Sequence, residues 1–175
     1  MANIYTKQVL KDTNQFAVIK LTGVFDGSGD ENNVSRIQAN TLLFALDSSG
    51  ANLLSSVANT GPQPFYGLSV SKIWYNSSFQ SPAHAELFWT ATTNDNFLSV
   101  EGNGTYNDNG NWITIPNPTK GAAGSNGDIG IRTFGAVANT SYNIIIELRK
   151  DNSNYDRGAH SDPAAFNYNQ YGVTP

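Results

Sequence analysis

Ser141-Tyr142-Asn143-Ile144-Ile145-Ile146-Glu147-Leu148-Arg149-Lys150 is the stretch on which the fold class turns. Tyr142, Ile144, Ile146 and Leu148 occupy alternate positions, so an extended backbone puts them on one face. The run is rich in β-branched residues, which suit a pleated surface. It predicts a long strand with one face in a core. After Asp151 this apolar periodicity stops.

Outward from this strand the same period recurs. Asp128 to Phe134 alternates Ile129 and Ile131 against Asp128, Gly130 and Arg132. Ala83 to Thr92 sets Ala85, Leu87, Trp89 and Ala91 on one face, with His84, Glu86, Phe88 and Thr90 on the other. Asn94-Asp95-Asn96 reads as a turn into Phe97–Gly102, where Leu98 and Val100 point inward. Leu68 to Tyr75, Val34 to Ala39 and Trp112 to Ile115 read as further strands, the last stopped by Pro116. Thr41 to Leu46 fits either a strand or one helical turn. At the start, Ile4–Lys11, the turn Asp12-Thr13-Asn14-Gln15 and Phe16–Phe25 form a hairpin, with Ala17, Ile19 and Leu21 on its apolar side. Short strands with Gly/Asn/Asp turns and no amphipathic helix predict an all-β antiparallel sandwich, jelly-roll-like, with a closed barrel as the competing architecture. Its expected core is Ile19, Leu21, Leu87, Trp89, Leu98, Val100, Ile131, Ile144, Ile146 and Leu148.

The chain has 175 residues, enough for one sandwich domain, assigned to 1–151, followed by an extended arm over 152–175. The arm carries Tyr155, Phe166, Tyr168 and Tyr171, unlike the aromatic-poor composition of disordered ends. It is expected to dock on its own domain or on a neighbour. Phe166, Tyr168 and Tyr171, with Tyr5 and Val9 near the start, are the interface candidates. Charged residues are only 14% and the formal net charge is −4, which leaves no electrostatic footprint for nucleic acid. No apolar run approaches the ~20 residues of a membrane-spanning helix, so no membrane partner is expected. Met1-Ala2-Asn3-Ile4-Tyr5-Thr6-Lys7 lacks the basic and apolar regions of a signal peptide, and the absence of cysteine also favours folding in the cytoplasm.

Catalytic chemistry finds little to work with. There are two histidines, His84 and His160, and no Gly-x-Ser-x-Gly elbow. Glu86, Glu101 and Glu147 sit on expected strands, where exposed carboxylates supply solubility more often than glycoside hydrolysis, although the strands of Glu86 and Glu101 are expected to pair. Asp26-Gly27-Ser28-Gly29-Asp30-Glu31 is acid-rich but misses the spacing of a calcium loop. Gly121 to Gly127 lacks the ending of a phosphate loop. Trp74, Tyr75, Trp89, Trp112, Tyr66 and Tyr106 include the material for a sugar-stacking platform, with core packing the commoner role for such residues. No catalytic residue, metal ligand or cofactor is assigned, and the chain is read as a non-enzyme.

Three segments together carry a resemblance: Val24-Phe25-Asp26-Gly27-Ser28-Gly29-Asp30-Glu31-Asn32; Lys72-Ile73-Trp74-Tyr75 followed by Ala85–Thr92; and Asp128-Ile129-Gly130-Ile131 leading into Ser141–Asp151. In this order they resemble small virion structural proteins of tailed bacteriophages, the marine and cyanobacterial type, over roughly residues 16 to 151. The resemblance implies a capsid decoration (cement) protein on the outer surface of the head, assembled in the host cytoplasm. Its implied partners are the major capsid protein and copies of itself, a trimer being the natural geometry. A tail- or fibre-associated adhesin for host glycan or surface protein is the alternative.

Overall fold

The computed structural model of the chain describes residues 2–46, 64–107, 114–151 and 154–155. Ten strands are present among them: β1 (Ile4–Asp12), β2 (Phe16–Val24), β3 (Val34–Ile37), β4 (Leu68–Ser77), β5 (His84–Trp89), β6 (Asp95–Val100), β7 (Asn103–Tyr106), β8 (Ile115–Pro116), β9 (Ile129–Phe134) and β10 (Ser141–Lys150). The one helical element among the described residues is a 3-10 turn, Ala39–Thr41. The strands form two antiparallel sheets, one six-stranded in the order β1-β2-β10-β4-β7 with β8 also on β4, the other four-stranded in the order β3-β9-β5-β6.

β10 lies at the centre of the larger sheet because its neighbours match its apolar stripe. Ile144, Ile146 and Leu148 stand opposite Leu21, Ile19 and Ala17 of β2, and opposite Tyr75, Ile73 and Val70 of β4. Ile144, Ile146 and Leu148 are fully buried, each contributing about 1.5–3 kcal/mol relative to an exposed position. Leu87, Trp89, Val100, Ile129 and Ile131 of the smaller sheet join the same cluster, so one core lies between the sheets. Of the expected core only Leu98 falls short. It is half-buried, because a register shift between Leu87 and Phe88 reorganises the β5–β6 ladder beside it.

Two glycines allow close packing of rings. A Cβ on Gly23 would lie 2.4 Å from the Tyr142 ring, and one on Gly130 would lie 2.3 Å from that of Phe88. The second explains a departure from simple alternation. Phe88 is on the face away from the core, yet it is buried against Gly130 with the Arg132 guanidinium 5.7 Å from its ring centroid. Other boundaries also moved. β3 stops at Ile37 and gives way to the 3-10 turn, β5 stops at Trp89, the strand read as Phe97–Gly102 runs instead from Asp95 to Val100 as β6, and a separate β7 follows from Asn103. Pro116 pairs with Ser69 at the sheet margin as the last residue of β8, while Trp112 lies outside the described residues.

Buried ionic groups fasten the loops to this frame. Lys150 has no exposed side-chain surface and donates to Asp12 Oδ1 (2.5 Å), Thr13 O (2.7 Å) and Leu43 O (2.7 Å). All three ammonium donors are thereby used. Glu31 accepts from Arg36 Nε and from the Tyr142 hydroxyl at 2.8 Å. Asp128 accepts from Ala39 N–H at 2.7 Å and from Ser35 and Asn126 at 3.1 Å each. Past β10, Tyr155 is buried. Its hydroxyl donates to Ala39 O at 2.7 Å and its ring centroid is 5.4 Å from that of Tyr66. The first described part of the arm therefore packs on its own domain.

Candidate functional site

Three surfaces stand out, and the first is β1. Within the larger sheet it pairs only with β2 among the described residues, so its other edge presents backbone N–H and C=O groups to whatever lies beside it. Lys7 and Val9 stand opposite Leu21 and Ile19 and share their face of the sheet. Leu21 and Ile19 are buried, whereas Lys7 and Val9 are exposed. The smaller sheet thus ends short of β1. Its strand β3 covers only the near end, where Arg36 lies 4.2 Å over the Tyr5 ring and Tyr5 packs edge-on to Phe25 at 5.8 Å. Beyond Tyr5 the strand overhangs, with Val9 48% and Leu10 47% exposed, while at its start Ile4, 61% exposed, stands opposite Val24, 43% exposed, on the other face. A register shift between Val9 and Lys11, together with Lys7 and Lys11, guards this edge against indiscriminate pairing.

The second surface is the outer face of the larger sheet. Strand register places Thr22, Asn143, Asn76 and Asn103 in one row across β2, β10, β4 and β7. The next row is Lys20, Ile145, Trp74 and Thr105. The β10, β4 and β7 members of the two rows, Asn143, Asn76 and Asn103 with Ile145, Trp74 and Thr105, line a groove of about 350 Å³. The third surface is an apolar cleft of about 540 Å³ at one end of the sandwich, lined by Pro82, Ala83, Phe134 and Val137. The His84 ring stacks on Phe134 at 4.9 Å.

The catalytic candidates are drawn into structural contacts. Glu86 is paired with Arg132 at 2.6 Å on the outer face of the smaller sheet, with His84 Nε2 at 3.5 Å. β5 and β6 do pair, but Glu86 stands opposite Ser99, and Glu101 lies past the end of β6. Glu147 is on the outer face of the larger sheet, opposite Lys72, and accepts from Ser71 Oγ at 2.7 Å. Glu86 and Glu147 therefore lie on opposite sides of the sandwich and share no cleft. His160 lies outside the described residues.

In the acid-rich loop each carboxylate has a local task. Asp26 accepts from Ser28 N–H at 2.9 Å, and hydrogen bonds from the Ser28 hydroxyl first and this N–H second lower its pKa. Asp30 accepts from Thr133 Oγ1 (3.1 Å), Gly135 N–H (3.0 Å) and Ala136 N–H (2.8 Å), tying the loop to the β9–β10 connection. Burial pushes Glu31 up, opposed by its bonds from Arg36 and Tyr142. Burial pulls the Lys150 ammonium down, opposed by Asp12. Neither Glu31 nor Lys150 lines the groove or the cleft. Among the described residues no cluster of three His, Asp or Glu side chains is placed to hold a metal ion.

Of the interface candidates, Val9 lies on the overhang and Tyr5 at its covered end, while Phe166, Tyr168 and Tyr171 lie outside the described residues. The overhang is not marked by a single motif, although apolar and polar side chains mixed on both faces of Ile4–Lys11, with Tyr5, Lys7, Val9 and Lys11 on one and Ile4, Thr6, Gln8 and Leu10 on the other, are its sequence signal. The asparagine row had no local signal, because it depends on the register of three strands. No family model matches the chain, and neither does any curated protein or solved structure.

Proposed function

We propose that this chain is a non-enzymatic virion structural protein, a decoration protein that binds the outside of the major capsid lattice and stabilises the shell. The observation that carries the reading is β1, exposed on both faces, with apolar side chains on the overhang and a backbone edge that no other described strand shares. Such a strand grips a partner by adding to its sheet or by laying Ile4, Val9 and Leu10 on it. The resemblance of residues 16–151 to phage virion proteins supplies the partner, and copies of the chain, as a trimer, complete the contact. A jelly-roll kinship belongs to the same proposal and is supported by the last strand, β10, returning to lie beside β2. Binding that is possible only on the expanded shell stabilises that shell by mass action.

The test is co-sedimentation of the purified protein with expanded capsids that lack it. Val9→Asp with Leu10→Lys leaves an exposed strand folded, and is expected to abolish sedimentation with the shell. Unimpaired binding by this variant, with an unchanged circular dichroism spectrum, would refute β1 as the grip.

A further inference from the structure

We propose that the groove on the outer face of the larger sheet is a binding site for a neutral saccharide. This goes beyond the capsid reading and does not depend on docking through β1. Asn76, Asn103 and Asn143 stand side by side on adjacent strands, with neighbouring strands about 4.8 Å apart. All three are exposed, and no described group engages their amides. Each amide offers an acceptor oxygen and two N–H donors. Ring hydroxyls also both donate and accept, so a row of amides can pair with hydroxyls along the polar rim of a sugar.

One row away, half-buried Trp74 lies between Ile145 and Thr105 and forms the apolar floor of the groove. A pyranose has an apolar C–H face and a polar hydroxyl rim. An aromatic floor beside a polar row answers both. No charged side chain lines the groove. Lys72, with Nζ 5.9 Å from the Trp74 ring centroid, lies at one margin and stands opposite Glu147. Lys20 stands beside Ile145 at the other margin, outside the lining, so the groove itself offers only neutral groups and matches a neutral ligand over an acidic sugar or a phosphate. A peptide adding as a strand is not the match, because it would pair along the outer edge of β7, whereas the groove crosses the sheet face over β10, β4 and β7.

The other two surfaces carry less. Nothing shows what covers the cleft at Phe134 and Val137, and the carboxylates of the acid-rich loop are already engaged.

The experiment uses the intact protein labelled with 15N and titrated with neutral gluco-, galacto- and manno-oligosaccharides, with a sialylated oligosaccharide as the acidic probe. Binding by a neutral sugar should shift the side-chain amide signals of Asn76, Asn103 and Asn143 and the indole signal of Trp74, while that of buried Trp89 stays in place. Trp74→Ala is expected to weaken binding by about tenfold or more, in keeping with the worth of a stacked ring. Asn143→Ala, at an exposed position that leaves the fold intact, should weaken it severalfold. The proposal is overturned if no neutral sugar moves these signals at tens of millimolar, if only the acidic probe does, or if the shifts map to the Phe134 cleft. It is equally overturned if Asn143→Ala binds as tightly as the parent.

Discussion

Replacing Lys150 by Met keeps the length of the side chain and removes its charge. The ammonium is fully enclosed and serves three acceptors, one of them the Asp12 carboxylate, which is itself only 7% exposed. Met leaves that carboxylate buried without its ion partner, and leaves Thr13 O and Leu43 O without this donor. Breaking a buried pair from one side costs about 3–5 kcal/mol. With a urea m-value of about 2 kcal/mol per molar, the midpoint of unfolding should fall by about 2 M at an unchanged slope. Asp12 also accepts from Leu43 N–H at 2.8 Å, which Asn can preserve. The double variant Asp12→Asn with Lys150→Met should therefore lose less than the two single variants together, by about 2 kcal/mol or more. Equilibrium urea unfolding followed by tryptophan fluorescence measures all four corners of the cycle. A loss below about 1 kcal/mol for Lys150→Met, or strict additivity, would refute the claim that this ammonium fastens the β1–β2 turn and the Leu43 segment to β10.

Other consequences can be measured on the same footing. Glu31 has its pKa raised by burial above the ordinary 4.5, so its contribution to stability is fully present below that pH and is lost as pH rises through the folded value. The stability difference between the parent and Glu31→Gln should therefore fall from about pH 4.5 upward, and a flat or rising difference would contradict it. Tyr155→Ala should cost about 3–5 kcal/mol, as for other buried aromatic truncations, read from the urea midpoint; a surface-like loss would mean that this residue does not pack on Tyr66 and Ala39. Gly23→Ala should be destabilising by about 1–3 kcal/mol, because the new methyl meets the Tyr142 ring inside a close-packed core.

The central strands were legible because their alternation is set by burial on one face. Ile144, Ile146 and Leu148, with Ile19 and Leu21, lie where the period put them. Lys150 was also visible in principle, since it continues the alternate positions of Leu148 as a charge at the end of an apolar stripe. What alternation cannot carry is the identity of the facing residue. Phe88 is buried on the outer face because its neighbour across the ladder is Gly130, a pairing between distant segments. β7 was hidden by Asn103 and Gly104, poor strand formers taken one at a time. A Cβ on Gly104 would lie 2.4 Å from the Tyr75 hydroxyl, so the glycine leaves room for that ring in the sheet. The candidate surfaces follow the same rule. Whether Val9 is buried or exposed depends on where the opposite sheet ends, and Asn76, Asn103 and Asn143 form a row only once three strands are in register.

Electron cryomicroscopy of purified particles that carry this chain tests the proposed role most directly. Density for the sandwich is expected on the outside of the head, with β1 against the capsid lattice or a neighbouring copy and the Trp74 face turned outward. Density confined to the tail, or copies on the head whose β1 faces solvent along its whole length, would contradict it.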